Sequence, residues 1–324
     1  MSFEEKTILH YLKKSRPDAN DSTINSYNRL LTRLDKVFFD SKIHDNPDQL
    51  LDFENTLDKI KSMKVTYLTE RNYINAIIVL LQGLETPTDA ILPYQTHRDS
   101  LNKRYTDEQS TRELSQKQKD NWLSLEQLTT LLNHLKAQVK TYPATDSLDN
   151  NSLRNIQWYF MLSFWLEYPL RNDLNHTKVI TKRQYNALGE DLKLENNYLV
   201  RDKIPFVSIA RYKTVKTYGV KIIHIKEPEV KKALDRWLKS NPLEYILINI
   251  PKSGREFTPL SSIGITHSFN RLFQAYYKRN FSTSLFRHVV LTEKFGDTVT
   301  ALQKYSEIMG HSAETAQTIY IKKQ

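Results

Sequence analysis

The chain has 324 residues and carries 47 lysines and arginines against 37 aspartates and glutamates, which gives a formal net charge of +10. This balance favours a polyanionic partner, most often nucleic acid, although composition alone allows a merely soluble basic protein equally well. The absence of cysteine excludes a disulfide framework and a thiolate metal site, and the longest apolar runs are far shorter than the roughly 20 residues of a membrane span. The first residues also lack the basic and apolar segments of a secretory signal.

Apolar residues recur at helical spacing in the first part of the chain, and we expect a compact helical domain over residues 1–95. Asp21 or Ser22 is the predicted N-cap of its second helix, and Pro47 is predicted to lie early in the third helix. The four predicted helices cover residues 3–14, 24–38, 47–60 and 66–84.

Residues 96–120 are polar and poor in apolar side chains. This composition predicts an interdomain linker, helical in part, between the helical domain and a second domain over residues 121–324. Lys103 and Arg104 of the linker are candidate DNA contacts.

The second domain is predicted to combine helices with a few strands, so the fold class is mainly α with a small β-sheet. Ser124 is expected to cap a helix with Gln127 at the capping-box position, and the apolar run 158–166 predicts a buried helix. Alternation of period two predicts strands over 205–209 and 220–225. The other predicted elements are a turn at Asn196-Asn197, a helix at 228–238, a strand at 245–248 and a helix at 263–277.

Two arginines lie in mainly apolar surroundings. Arg171 follows the buried helix, where it can form an ion pair with Asp173 or bind an anion, and Arg287 is flanked by apolar residues. We expect both to be half-buried, and two such guanidinium groups are more stable around a shared anion than unpaired. Their bidentate forks match the two non-bridging oxygens of a phosphate diester.

Three cations, Arg211, Lys213 and Lys216, lie between the two predicted strands at the tip of a hairpin. They can form a solvated turn, or they can enter a DNA groove. A lysine in a groove can protonate a departing 5′ oxygen, and Lys213 and Lys216 both remain candidates for that role.

The end of the chain supplies a histidine and a tyrosine. His311 follows Gly310, which can end a helix in the left-handed conformation, and it is either a core histidine or a phosphate ligand. Tyr320 is a weak nucleophile with an ordinary pKa of about 10. It therefore needs a polarised phosphate and a nearby proton acceptor.

The second domain resembles the tyrosine recombinase (phage integrase) family over residues 120–324. Members of the family have an arginine after a buried helix, a lysine in a β-hairpin, a His-x-x-Arg segment, a Gly-His pair and a tyrosine nine residues later. The matching positions here are Leu170-Arg171, Lys213, Ser284-Leu285-Phe286-Arg287-His288, Met309-Gly310-His311 and Ile319-Tyr320.

Other parts of the chain extend this resemblance. The first domain resembles the family's core-binding domain through Ser22 to Tyr27. The segments around Gln118 to Trp122 and Tyr212 to Gly219 are similar to the versions carried by large eukaryotic DNA viruses and their mobile elements.

The resemblance implies two domains that clamp duplex DNA and a catalytic domain that cuts it through a 3′-phosphotyrosine, without metal, ATP or another cofactor. It implies partners in the form of double-stranded recombination sites and further copies of the chain, in a tetrameric synaptic complex. The expected compartment is whichever holds the target DNA, the nucleus or viral factory of a eukaryotic host or a prokaryotic cytoplasm. The implied catalytic residues are Arg171, Lys213, Ser284, Arg287, His311 and Tyr320, with Lys216 and His288 in support and Arg211, Lys216, Lys103 and Arg104 on DNA.

Two departures from the family pattern bear on this expectation. Ser284 stands where the family has a histidine, and a serine can donate a hydrogen bond but cannot act as an imidazole base, so His288 or His311 would take more of that role. Only Ile321 to Gln324 follow Tyr320, where many members have a helix that docks on a neighbouring protomer. The manner of assembly is therefore left open.

Three alternatives remain at this stage. A type IB topoisomerase would use the same residues, and a catalytically weak accessory protein would bind DNA without cutting it. A metal-dependent nuclease is disfavoured because Glu190-Asp191 is more simply a solvated turn and no histidine pair has ligand spacing. The target sequence, and the choice between integration, excision and resolution, are not encoded in these motifs.

Overall fold

The computed structural model describes residues 7–38, 43, 47–143, 148–251, 255–310 and 312–321. The chain divides into two compact units, Met1–Glu113 and Leu114–Gln324. Among the described residues, no helix is both long enough and apolar enough to cross a bilayer.

The first unit consists of helices around one apolar core. Its elements are α1 (Ile8–Ser15), α2 (Asp21–Phe38), a 3₁₀ turn (Pro47–Leu50), α3 (Phe53–Ser62), α4 (Tyr67–Gly83) and α5 (Thr88–Ser110). Helix α4 is central, because it packs against α1, α2 and α5 and nearly all of its side chains from Tyr73 to Leu81 are buried.

Local capping chemistry fixes the helix starts of this unit. The amide of Thr23 donates to the Asn20 side chain at 2.8 Å, so Asn20, rather than the predicted Asp21 or Ser22, caps α2. The Asp52 side chain accepts from the Asn55 amide, and this cap separates α3 from the turn at Pro47. The predicted third helix is therefore two elements.

The second unit contains ten helices among the described residues and two small sheets. Its helices are α6 (Gln116–Asn121), α7 (Leu125–Thr141), α8 (Asn150–Glu167), α9 (Lys182–Ala187), α10 (Glu190–Glu195), α11 (Val215–Tyr218), α12 (Pro228–Ser240), α13 (Ser262–Tyr277), α14 (Thr283–Ile308) and α15 (Ala313–Thr315), followed by a π-helical turn (Ala316–Tyr320). Its strands are β1 (Lys178–Thr181), β2 (Tyr198–Arg201), β3 (Phe206–Ile209), β4 (Lys221–His224), β5 (Ile248–Asn249) and β6 (Thr258–Pro259).

Helix α8 forms the centre of this unit. Every residue from Ile156 to Trp165 is buried, and α7 and α12 pack against it. The four-stranded sheet has the order β1-β2-β3-β4, with β1 parallel to β2 and the other pairs antiparallel. The fold is therefore mainly α with a small β-sheet, as predicted.

The segment between the two predicted domains is largely helical in the structure. Residues 96–110 belong to α5 in the first unit, and α6 begins at Gln116 behind a capping box on Ser115. The boundary between the compact units falls after Glu113.

Several elements of the second unit differ from the predictions. The capping box of Ser124 and Gln127 starts α7 as expected. Strand β1 and helices α9 and α10 were not predicted. The predicted strand at 245–248 forms an isolated bridge from Tyr245 to Lys178 and enters a sheet at Ile248, where β5 pairs with β6. Asn197 is not in a turn: its side chain is buried and crosslinks two segments of the candidate site.

Candidate functional site

Arg171 lies just beyond the C-terminus of α8, in a short segment held by hydrogen bonds. The Trp165 indole donates to the carbonyl of Leu170 at 2.9 Å, and the Tyr168 hydroxyl donates to the carbonyl of His224 at 3.2 Å. The Arg171 side chain itself is exposed, in contrast to the half-buried position expected from the sequence. A fixed backbone with an exposed guanidinium suits contact with an external anion.

Arg287 lies in the first part of α14 and is half-buried, as expected. The neighbouring Phe286 is fully buried among the rings of Phe269, Phe273 and Phe281, so this part of the helix is anchored in the core. The Nη1 atom of Arg287 is buried and has no hydrogen-bond partner within the described part of the chain. A buried, unpaired guanidinium nitrogen is costly and is a candidate anion ligand.

The two arginines lie close enough to interact electrostatically. Burial lowers the pKa of the Arg287 guanidinium, the charge of Arg171 lowers it further, and Asp173 opposes both effects. Burial raises the pKa of Asp173 above its usual range, although Lys221, Arg171 and Arg287 each favour its charged form. Three cations thus surround one half-buried carboxylate, and the cluster keeps an excess of positive charge.

Asn172 ties the Arg171 segment to the helix that carries Arg287. Its amide nitrogen donates to the carbonyl of Ser262 at 2.8 Å and to the hydroxyl of Thr266 at 2.9 Å, both on α13. Its amide oxygen accepts from the hydroxyl of Thr283, the first residue of α14, at 2.8 Å. One side chain therefore fixes three elements around the arginine pair.

Asn197 ties the same segment to the loop that carries Lys213. Its amide nitrogen donates to the carbonyl of Asp173 at 2.8 Å, and its amide oxygen accepts from the backbone amides of Ala210 and Arg211 at 2.9 and 2.7 Å. The Tyr212 hydroxyl closes the loop by donating to the carbonyl of Gly219 at 2.6 Å.

The cations of this loop point outward. Arg211, Lys213 and Lys216 are all exposed, and Lys216 lies on the short helix α11 within the connection between β3 and β4. Lys221 on β4 is different, because its ammonium lies 4.0 Å from the centre of the Tyr212 ring and influences Asp173. The loop therefore presents two exposed lysines, and the adjoining strand carries a third, Lys221, that is partly buried.

Ser284 lies three positions before Arg287 and shares its face of α14, whereas His288 directly follows Arg287 and lies about 100° around the helix from it. The side chains of Ser284 and His288 are both exposed. Ser284 is therefore placed to reach an anion bound at Arg287 from the solvent side.

Tyr320 ends the π-helical turn and is 61% exposed. Between Arg287 and the end of α14 at Ile308 the helix covers about 30 Å at 1.5 Å per residue. Gly310 ends this helix with a φ of +72°, as expected, and α15 packs on it. His311 lies outside the described residues.

Lys103 and Arg104 lie on α5 of the first unit, and both are exposed. The Arg104 guanidinium pairs with Glu108 at 2.9 Å and lies over the Tyr67 ring at 4.2 Å. Lys103 is thus the less constrained of the two cations.

A metal centre has no support in the described ranges, where no group of three or more His, Cys, Asp or Glu side chains is arranged to hold an ion. Glu190 and Asp191 lie in the first turn of α10, and Glu190 pairs with Lys193 at 2.8 Å.

Sequence reasoning missed Asn172, Asn197 and Lys221. Only Lys221 had a local signal, because alternation with Ile223 and the buried Ile225 places it on the inner face of β4, where a lysine is unusual. The two asparagines act through residues far away in the sequence.

Comparisons with known proteins add little. No protein-family model matches the chain, and no curated protein matches it. Among solved structures it is similar to a crystal structure of XerA recombinase with a TM-score of 0.33 and 14% identity, over 98% of this chain and 95% of that chain. A similarity at this level does not carry an argument about fold or site.

Proposed function

We propose that this chain is a tyrosine recombinase, which cuts and rejoins DNA at specific sites through a 3′-phosphotyrosine. The observation that carries the proposal is the Nη1 atom of Arg287. This atom is buried, has no hydrogen-bond partner among the described residues, and belongs to a side chain that interacts with the cluster of Arg171, Asp173 and Lys221. In a chain of net charge +10, a DNA phosphate is the natural anion for such a site.

The backbone at both arginines is held before DNA binds. Phe286, next to Arg287, is packed in the aromatic core, and Asn172, next to Arg171, is bonded to Thr283 of α14. Preorganised donors of this kind typically contribute on the order of 3 kcal/mol each to the barrier.

The proposed reaction proceeds in two displacements. The Tyr320 oxygen attacks phosphorus, the bond from phosphorus to the 5′ oxygen of the next nucleotide breaks, and Lys213 protonates that oxygen. The phenol proton goes to an acceptor, for which the chain offers His288 or His311. In the reverse displacement a 5′-hydroxyl attacks the phosphotyrosine, which reseals DNA without ATP or metal. Ser284 and His311 add hydrogen bonds to the phosphate, and Lys216 supports the site.

We further propose that residues 1–95 form the core-binding domain and residues 121–324 the catalytic domain, with residues 96–120 between them. Arg211, Lys216, Lys103 and Arg104 contact duplex DNA in this proposal. The functional form is a tetramer on paired recombination sites, and the chain belongs with the versions carried by viruses and mobile elements.

One observation favours a second candidate, a DNA-binding accessory protein with weak cleavage. Ser284 is an exposed residue on the Arg287 face of α14, where the family has an imidazole. A serine there can hold a phosphate but cannot relay a proton.

The test is a denaturing-gel assay for a covalent protein–DNA adduct, in EDTA, on pooled duplex fragments with nicks that trap cleavage. We expect an adduct with the wild type and none with Tyr320→Phe, which should still bind DNA. Tyr305→Phe is the matched control, because Tyr305 is an exposed tyrosine on α14 and should leave the adduct intact. DNA binding without any adduct would instead support the accessory protein, and an adduct that survives in Tyr320→Phe would mean that the nucleophile is another residue.

A further inference from the structure

A second cluster of arginines lines a cleft of about 500 Å³ at the start of α8 and along α13. The cleft is lined by residues of β5, β6 and α13, together with Arg154 and Gln157 of α8, and its basic residues are Arg154, Arg271 and His267. None of the described residues that line it carries a carboxylate. A cleft of this size falls within the usual range for small-molecule sites.

Arg154 is held in place by neutral acceptors. Its Nη1 atom donates to the Asn151 side chain at 2.8 Å, and Nη2 lies 3.4 Å from the carbonyls of Ile250 and Pro251. Its Nε atom is buried and has no hydrogen-bond partner among the described residues. The nearby Asp149 carboxylate is occupied with capping α8, through Asn151 and Ser152.

Arg271 brings a second positive charge to the same place. Burial lowers the pKa of Arg154, the charge of Arg271 lowers it further, and Asp149 offsets part of this effect. Arg271 and His267 are exposed on the face of α13 that lines the cleft. Two guanidinium groups that repel each other across a cleft are relieved by a ligand with two negative charges.

The lining of the cleft also includes apolar residues. Ile248 and Leu260 line it and are buried, and Ile263, on α13, is exposed. A ligand that fits these features has a compact dianion at one end and an apolar or aromatic body at the other.

We propose that this cleft binds a small phosphate monoester with an aromatic body, of the nucleoside monophosphate class. A phosphate monoester carries about −1.5 to −2 charges at neutral pH, which matches the two arginines, and the body lies against Ile263. Arg154 and Arg271 hold the phosphate.

This site is separate from the proposed DNA-cleavage site. Arg154 lies near the first turn of α8 and Arg171 lies beyond its last turn, and the helix between Arg154 and Glu167 covers about 20 Å. On α13, Ser262 and Thr266 contact Asn172, whereas Ile263, His267 and Arg271 line the cleft. Ligand binding in the cleft can therefore be tested independently of DNA cleavage.

The test is calorimetric titration of the full chain with adenosine 5′-monophosphate, adenosine and inorganic phosphate. We expect the monophosphate to bind the wild type, adenosine to show no binding, and inorganic phosphate to bind more weakly. Arg271→Gln should weaken monophosphate binding at least tenfold, and since Arg271 is exposed the variant is expected to fold. Arg183→Gln removes another exposed arginine, on α9, and should have no effect.

Three results would overturn the proposal. The first is no binding of the monophosphate, or adenosine binding equally well. The second is loss of binding in Arg171→Gln but not in Arg271→Gln, which would place the phosphate at the other arginine pair. The third is a loss of duplex DNA affinity in Arg271→Gln as large as the loss of monophosphate affinity, which would make the cleft part of a DNA surface.

Discussion

The two halves of α14 belong to one helix but lie in different environments. From Thr283 to Val290 the helix buries Thr283, Leu285, Phe286, Val289 and Val290 and is tied to Asn172. From Leu291 to Ile308 Ser306 is its one buried side chain, while Leu291, Phe295, Tyr305 and Ile308 are exposed.

In the proposed reaction the two halves have different roles: the first half carries the phosphate ligand Arg287, and the second half leads to the nucleophile Tyr320. The half that carries Arg287 is fixed by the core, so the phosphate site is formed before DNA binds. The half that leads to Tyr320 has few packing interactions of its own, and helices without packing are held mainly by their own hydrogen bonds. We therefore expect the position of the proposed nucleophile, Tyr320, to vary more with conditions than the position of the proposed phosphate ligand, Arg287.

The contrast between the two halves of α14 predicts that a substitution at Arg287 changes the rate of adduct formation most. Arg287→Ala should lower the rate of adduct formation by about 10²–10³, because it removes a preorganised donor from the phosphate site. DNA affinity should change little, with a salt dependence reduced by about one counterion at most. Single-turnover adduct assays and binding titrations at several salt concentrations measure the two quantities.

Arg171→Ala and Arg183→Ala complete this comparison. Arg171→Ala should also slow cleavage, whereas Arg183→Ala, which removes an exposed arginine outside the site, should leave it unchanged. Equal cleavage by Arg287→Ala and the wild type would remove the fixed half of α14 from the chemistry.

A smaller effect is expected at Asn172, which anchors the first half of α14. Asn172→Ala removes three hydrogen bonds and leaves the buried Thr283 hydroxyl and the Ser262 carbonyl without this partner. We expect the free energy of unfolding to fall by about 1–3 kcal/mol and the adduct rate to fall with it. Chemical denaturation measures the first quantity.

Thr283→Val provides the control for Asn172. The two residues share one hydrogen bond, so their effects on stability should be non-additive in a double-mutant cycle. Simple additivity would show that the Asn172 crosslink does not hold α14.

Asp173 gives a pH-dependent test of the same cluster. Because burial raises its folded-state pKa, the folded protein holds this proton at pH values where the unfolded chain has lost it. This contribution to stability is complete below the ordinary pKa and is lost as the pH rises through the raised value.

Asp173→Asn removes that pH-dependent contribution. The unfolded-state pKa of an aspartate is about 3.9. The variant should therefore gain stability relative to the wild type as the pH rises from about 4 towards neutrality. Denaturation of both proteins across this range measures the difference. A constant difference would mean that burial and the three cations cancel at Asp173, and a variant that loses relative stability over this range would mean that the cations dominate.

The sequence predicted the elements that depend on local chemistry. The Ser124 and Gln127 capping box and the buried run of α8 appear where expected, because a cap and an apolar run act within a few residues. The exposure of Arg171 and the crosslinks of Asn172 and Asn197 were not predictable, because they depend on α13, α14 and the β3–β4 loop meeting in space. Arg171 and Arg287 could be identified from the sequence because their neighbours in the chain are apolar. Lys221 could be identified only from the alternation of β4, which places it on the inner face of the strand.

The smallest effect is expected at Gly296, in the exposed half of α14. A Cβ added there would meet Thr292 Cγ2 at 3.7 Å, an ordinary contact, so Gly296→Ala fits the helix without strain. Alanine favours a helix over glycine by about 1 kcal/mol, and the variant should stabilise the straight form of α14 by up to that amount. If Tyr320 reaches the phosphate by bending this helix, the adduct rate falls by about fivefold, which is the result we expect.

Gly189→Ala is the matched control for this change, since Gly189 lies outside α14 with open space around its Cβ position. It should leave the adduct rate unchanged. A Gly296→Ala variant that is more stable but cleaves as fast as the wild type would show that the straight helix is the form that delivers Tyr320. The contrast between the two halves of α14 would then concern packing alone, and the movement that brings tyrosine and phosphate together would have to lie beyond Ile308.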